Sequence, residues 1–293
     1  MSELASESSK QSANANTEHE RSRRVRVIDE VLADLDAEGE RLRATVAELP
    51  EPGWRTETAA EGWDIAAQIV HLAWTDEAAI LAVRASRGDS GDWDALLQRG
   101  SRDPEHFTDH EAASGARQSP AVILKRWDDA RHELRGALST ATDKLPWFGP
   151  PMSPASMATA RLMETWAHGL DVYQALGIEP VVTDAIGHIC RLGVRTRDFA
   201  YLIRGLTPPT QEFRVELTAP GGTQWTWGPA EAEQRVTGPA YDFARLATQR
   251  IHLQDTALTA TGPDAAYWLT IAQAFAGPPG PGRTPRAERG DRA

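Results

Sequence analysis

Two stretches of this sequence hold metal-binding residue types at spacings that would bring them together. Glu164 and His168, in Glu164-Thr-Trp-Ala-His168, are four residues apart. On a helix rising ~5.4 Å per turn their side chains leave the same face about one turn apart. His71 lies in Trp63-Asp-Ile-Ala-Ala-Gln-Ile-Val-His71-Leu-Ala-Trp74, where Ile65, Ile69, Leu72 and Trp74 recur at helical spacing. A neighbouring helix carrying His71 would complete a trio of two imidazoles and one carboxylate. Such a set leaves a coordination position for water or substrate, as in catalytic zinc sites, whereas structural sites close all four positions. The plain alternative for each histidine is a satisfied polar residue packed in or near a core. Glu-x-x-x-His pairs also arise by chance on exposed helix faces.

Other polar residues have weaker claims. Asp171 extends the Glu164 and His168 face by three residues, so it either accepts the second ring N–H of a ligating histidine or is an ordinary solvated charge. Gln68, one turn before His71, is either a hydrogen-bonding support for the site or a core amide. His106 and His110 share an i,i+4 spacing but sit in a polar segment that reads as an exposed loop. His132 reads as surface, and His188 and His252 as packing or capping residues. The single cysteine, Cys190, reads as a small buried hydrophobe, since no electropositive setting is evident around it. Most of the ten tryptophans read as core, with some available to wall a pocket. There is no Walker or Rossmann glycine loop and no Gly-x-Ser-x-Gly elbow, which argues against nucleotide hydrolysis and serine-hydrolase chemistry.

The elements that must position these residues are mostly helical. Val25 to about Leu49 reads as one long amphipathic helix ended by Pro50 and Pro52, and Trp63 to Ala85 as a second. Residues 87–119, rich in Gly, Asp and Ser, read as a long surface excursion holding one short helix. Ser119-Pro120 opens a third helix through Leu138. Ser153 caps a fourth, which runs to Gly177. Four long helices with one extended connection predict a four-helix bundle, a setting in which facing helices commonly build metal sites. After Pro180 the pattern changes. Residues 183–205 read as helical, and Glu212–Thr218, Gly221-Gly222 and Thr223–Gly228 form a hairpin pattern. Further helices fit 239–252 and 263–275. The fold class is therefore α+β: a disordered leader over 1–22, a bundle over 23–178, a small mixed α/β domain over 179–277 and a disordered tail over 278–293.

With 293 residues, 41% of them hydrophobic, the chain can bury a substantial core. Forty-two acidic against thirty-one basic residues, net −11, argue against a nucleic-acid or anionic-membrane surface and favour a small ligand. One cysteine excludes an internal disulfide and a cysteine-based zinc site, and it fits a reducing compartment. The leader lacks the apolar stretch of a signal peptide, and no run reaches the ~20 apolar residues of a membrane helix. The expected location is cytoplasmic.

The segments Gly62–Trp74 and Ala160–Val172, which carry the trio, resemble the hallmark segments of mycothiol-dependent maleylpyruvate isomerase-like, DinB-type proteins. The resemblance extends through Trp225-Thr-Trp-Gly, Arg235-Val-Thr-Gly-Pro-Ala and Gln273-Ala-Phe-Ala-Gly-Pro-Pro-Gly. These match a metal-binding subfamily whose small C-terminal domain is likened to sterol-carrier and wyosine-base-formation modules, and coverage is about residues 24–282. It implies a DinB-like four-helix bundle with His71, Glu164 and His168 as ligands for zinc or another divalent metal, and mycothiol as thiol cosubstrate. In the isomerase a metal helps a bound thiol add to a double bond, and rotation and elimination then give the isomer. A basic residue of the C-terminal domain assists. Arg250 stands where that arginine is expected and could hold a carboxylate; a surface helix arginine is the competing explanation. This C-terminal domain departs from the isomerase type, so maleylpyruvate itself is not the expected substrate. The expectation is a metal- and thiol-dependent isomerase or transferase acting on an electrophilic small molecule, with Arg250 and Asp171 as catalytic candidates. A water-activating metal hydrolase or lyase and a non-catalytic small-molecule or lipid carrier are the alternatives.

Overall fold

The structure is a computed structural model and describes residues 27–288. The expected leader lies outside the described residues. The first helix, α1, covers residues 27–47 and buries Val31, Leu32, Leu35, Leu42 and Val46, one stripe of its surface. A 3-10 turn, Glu51–Arg55, brings Trp54 into the core and leads to α2, Ile65–Ser86. Asp64 caps α2 by accepting from Ala67 N at 2.8 Å, which satisfies an otherwise orphaned backbone donor. This helix is apolar nearly all round and is accordingly the central one. Around it pack α3 (Gly91–Gly100), α4 (Phe107–Gly115), α5 (Pro120–Ser139) and α6 (Pro154–Leu176). Ser153 caps α6, its Oγ accepting from Ser156 N, and Gly177, at φ 65°, closes it in the left-handed conformation that glycine adopts without strain.

The excursion over 87–119 holds two helices rather than one. α3 is the apolar patch of Trp93 and Leu96, but α4 buries only Ala112 and Gly115, too small a stripe to register as hydrophobic periodicity. Small residues are what this contact needs: a Cβ on Gly115 would stand 2.4 Å from Val70 of α2. α4 is thus held directly against the helix that carries His71.

Past α6 come α7 (Ile186–Arg195) and α8 (Arg197–Leu202), then a four-stranded sheet of order β2-β1-β3-β4. β1 (Phe213–Thr218) and β2 (Gln224–Trp227) form the expected antiparallel hairpin. β3 (Gln234–Pro239) runs parallel to β1, and β4 (Thr259–Thr261) antiparallel to β3. Phe213, Val215, Leu217 and Val236 bury one face of the sheet with α9 (Ala240–Ala247) and α10 (Pro263–Ile271). Sequence reading missed β3 because two of its three inward positions are Gln234 and Gly238. The Gln234 amide is satisfied there, accepting from Ala265 N at 3.0 Å and donating to Gln211 at 3.1 Å. The helices expected over 239–252 and 263–275 stop at Ala247 and Ile271.

Two cores result, and α6 serves both. Met157, Ala158, Leu162 and Val172 belong to the bundle core, whereas Met163, Trp166, Ala167 and Leu170 belong to the core of the C-terminal part. Residues placed on α6 therefore stand at the seam between them. Among the described residues, no helix is long and apolar enough to cross a membrane.

Candidate metal centre

The caps and packing of α2 and α6 bring His71, Glu164 and His168 to one point. A ligand atom from each lies within 4.8 Å of the others. Glu164 Oε2 is 3.1 Å from His168 Nε2 and 3.6 Å from His71 Nε2. Ligands ~2.0–2.2 Å from a tetrahedral zinc ion lie ~3.3–3.6 Å from one another, so these two edges bracket the size of such a site. Both imidazoles are at most 9% exposed, while the Glu164 side chain keeps 22% exposure.

A short chain of hydrogen bonds sets which ring nitrogen of His168 carries the proton. The Thr58 hydroxyl donates to Trp63 O at 2.8 Å, leaving its lone pair to accept from Gln68 Nε2, also at 2.8 Å. The other end of the Gln68 amide must then be the acceptor, and it faces His168 Nδ1. His168 therefore donates from Nδ1. Burial, then the neighbouring His71, push the His168 pKa from 6.5 down to about 4, so the ring is neutral at physiological pH and Nε2 is a bare lone pair. Two acceptors, a carboxylate oxygen and an imidazole nitrogen, thus face each other at 3.1 Å. Without a cation between them this contact is repulsive; with one, all three donor atoms are satisfied. The donor set fits a divalent metal.

Aromatic rings enclose the trio. Trp63 stacks on His168 at 5.9 Å and tilts over His71 at 5.3 Å, and its Nε1 donates to Asp109 of α4 at 2.9 Å. Trp74 meets His71 edge-on at 5.6 Å. Asp171 takes neither ring proton. It is 1% exposed, and its oxygens accept from Arg250 Nη2 at 2.8 Å and from Arg283. Arg250 follows α9 through a turn in which Gln249 adopts φ 59°, where glycine is usual. Gln249 N donates to Leu246 O and Arg250 N to Arg245 O, at 2.9 and 2.7 Å, so Arg250 is tied by its backbone to the last turn of α9 just past the helix end. Its charge contributes to the depression of His168.

The remaining candidates lie elsewhere. His106 and His110 are exposed beside Asp103, and His132 is bonded to its own helix backbone. His188 pairs with Asp34 at 3.3 Å, and His252 caps a 3-10 turn by accepting from Gln254 N. Cys190 is fully buried and burial pushes its thiol pKa up, which suits packing and not nucleophilic work. Sequence reasoning had no means of finding Thr58, Asp109 and Arg283, which reach the site from turns, a polar helix and the C-terminal segment.

Residues 35–173 match the model of the mycothiol maleylpyruvate isomerase N-terminal domain family, and residues 209–261 that of the wyosine base formation family. The trio and Asp171 fall within the first match and Arg250 within the second. The chain is 52% identical over 254 residues to uncharacterized proteins from two strains of Mycobacterium tuberculosis, covering 86% of this chain and 97% of each relative. The fold is shared with the crystal structure of the mycothiol-dependent maleylpyruvate isomerase, at 18% identity and TM-score 0.55, covering 81% of this chain and 95% of that one. A histidine-to-alanine mutant of that isomerase matches at TM-score 0.54. With a bundle of this type joined to a wyosine-base-formation segment, the chain belongs to the mycothiol maleylpyruvate isomerase-like family.

Proposed function

We propose that this protein is a divalent-metal enzyme, zinc being the first choice, that uses a low-molecular-weight thiol, mycothiol, in isomerisation or transfer on an electrophilic small molecule. The observation that carries the metal is the pair of facing acceptors, Glu164 Oε2 and His168 Nε2, at 3.1 Å with the only His168 ring proton committed to Gln68. His71, Glu164 and His168 would hold the ion and leave a position open. When bound, the metal lowers the pKa of a thiol and so supplies a thiolate at neutral pH.

The chain's own residues supply the rest. Gln68, steadied by Thr58, keeps the His168 lone pair directed at the site. Trp63 and Trp74 cover the imidazoles and exclude water from them. Arg250, with one N–H on Asp171 and another on Thr248 O, has its buried Nε unpartnered. That buried N–H would engage a carboxylate of thiol or substrate only once the guanidinium turns towards it. Asp171 orients the guanidinium and is not itself a proton carrier in this reading.

The test is turnover of a panel of activated alkenes by metal-loaded protein with and without thiol. Thiol-dependent turnover that disappears in His168→Ala supports the proposal. Turnover without thiol moves the reading to a water-activating hydrolase or lyase. Neither thiol binding nor turnover by metal-loaded protein contradicts it and leaves the carrier reading.

A further inference from the structure

The last described residues return to the metal centre. Ala274 N donates to Ala247 O at 2.8 Å, and Gln273 Nε2 donates to the carbonyls of Phe275 and Gly277, which fixes the start of this segment beside the end of α9. Farther on, Arg286 N donates to both carboxylate oxygens of Asp255, at 3.1 and 2.9 Å. Between these anchors Arg283 reaches across to the bundle. Its guanidinium donates to Ala59 O, in the turn that precedes Trp63, and to Asp171 Oδ1 on α6, three residues beyond His168. The Arg283 side chain is 13% exposed. Sequence reading assigned residues 278–293 to a disordered tail because proline and glycine leave no periodicity there. In the structure residues 278–285 follow an irregular path, with Gly282 at φ 70°, and end in a 3-10 turn at Arg286–Glu288, held by groups far away in sequence.

We propose that residues 277–288 form a strap that completes the site, and that Arg283 is a positioning residue acting on Arg250 through their shared carboxylate. This rests on the reading of Arg250 given above. Asp171 is buried and carries one negative charge. With Arg250 as its only cation the pair would be neutral, and the Arg250 guanidinium would be drawn fully onto both oxygens, as bidentate arginine–carboxylate pairs prefer. Arg283 occupies Oδ1 and restricts Arg250 to Oδ2. The three groups together carry one positive charge beside the trio, and Arg250 keeps its Nε unpartnered. The same guanidinium ties down the turn before Trp63, the ring that roofs both histidines. The strap also passes close to the strained turn before Arg250: a Cβ on Gly280 would stand 3.0 Å from Gln249 Oε1.

The experiment compares full-length Arg283→Ala, Arg283→Lys, Arg250→Ala, the Arg250→Ala/Arg283→Ala double variant and Arg286→Ala with the parent protein. Amide exchange and labelling by phenylglyoxal, read by mass spectrometry, need no metal, thiol or substrate. Arg283→Ala is expected to raise exchange about tenfold or more in segments 57–62 and 277–288 together, with the α9 and α10 cores still protected. It is also expected to change the labelling rate of Arg250 by about tenfold, with Arg283→Lys intermediate and Arg286→Ala unchanged. In turnover, Arg283→Ala should raise KM for a carboxylate-bearing electrophile about tenfold at little cost in kcat, and the double variant should be no worse than Arg250→Ala alone. Loosening confined to 277–288 with unchanged Arg250 labelling, or additive losses in the double variant, would overturn the proposal. If no thiol-dependent turnover exists at all, the functional reading fails, and exchange and labelling still decide the strap.

Discussion

Replacing Gln68 with leucine removes, from a fully buried position, the acceptor that faces His168 Nδ1 and the donor to Thr58, and shortens the side chain by one bond. Two effects follow, and they are separable. His168 loses the partner that keeps its proton on Nδ1, so the ring can place the proton on Nε2, the atom facing Glu164 and the metal. Outer hydrogen bonds of this kind typically change metal affinity by ~10–100-fold, or about 1.4–2.7 kcal/mol. In the metal-free protein the ring either keeps a buried, unpaired Nδ1–H or turns its proton to Nε2 and donates it to Glu164, so the stability loss is bounded above by about 1–3 kcal/mol. Gln68→Glu is the counterpart: it retains an oxygen for Nδ1–H and, being anionic, raises the basicity of the ring. Its metal affinity should stay within a few-fold of the parent. Competition against a chromophoric chelator at neutral pH measures affinity, and denaturant melts of metal-free protein measure stability. Leucine and parent affinities within about threefold, or a glutamate variant as weak as the leucine one, would refute the tautomer argument.

Three further outcomes follow from the same geometry. Because His168 titrates near 4 in the fold against 6.5 for an ordinary histidine, the unfolded chain takes up this proton first as pH falls. Metal-free protein should therefore keep this contribution above pH 6.5 and lose up to about 3 kcal/mol as pH falls towards 4, read from denaturant midpoints in a His168→Gln comparison. Asp76 and Arg161, each 2% exposed and 2.8 Å apart, sit in the bundle core. Asp76→Ala strands the guanidinium and should cost about 3–5 kcal/mol, with most of it regained in an Asp76→Ala/Arg161→Met double variant; a single-variant loss below about 1 kcal/mol would show water or another group compensating. Arg250→Ala should weaken binding of a carboxylate-bearing ligand about tenfold or more in metal-loaded protein, with metal content unchanged, and loss of the metal as well would assign Arg250 a structural role instead.

The trio was legible because the helix repeat fixes which residues share a face, and both α2 and α6 carry strong capping residues, Asp64 and Ser153. The hairpin was legible for a similar local reason: its alternation and its Gly221-Gly222 turn lie within one short stretch. β3 was not, since Gln234 and Gly238 stand where apolar residues would announce a strand, and their fit depends on α10 and on the chain near Ala257. Asp171 lies on the α6 face that carries Glu164 and His168, but spacing within one helix could not reveal that its partners, Arg250 and Arg283, arrive from two distant segments. Its sequence position leaves Gln68 two roles, a hydrogen-bonding support for the site or a core amide. The choice between them depends on the Thr58 hydroxyl, ten residues away in a turn. Local rules specify faces and ends of elements; the polar contacts that orient a site come from chain crossings that no short pattern encodes.

Cobalt-substituted protein titrated with a small thiol tests the central claim most directly, because a thiolate bound to the ion gives a charge-transfer absorption in the near ultraviolet. The account predicts a band that saturates at about one thiol per chain, since three protein ligands leave an open position, and that is lost in His71→Ala and His168→Ala. Cobalt that binds with no spectral response to thiol, or a response that survives removal of both histidines, would contradict it.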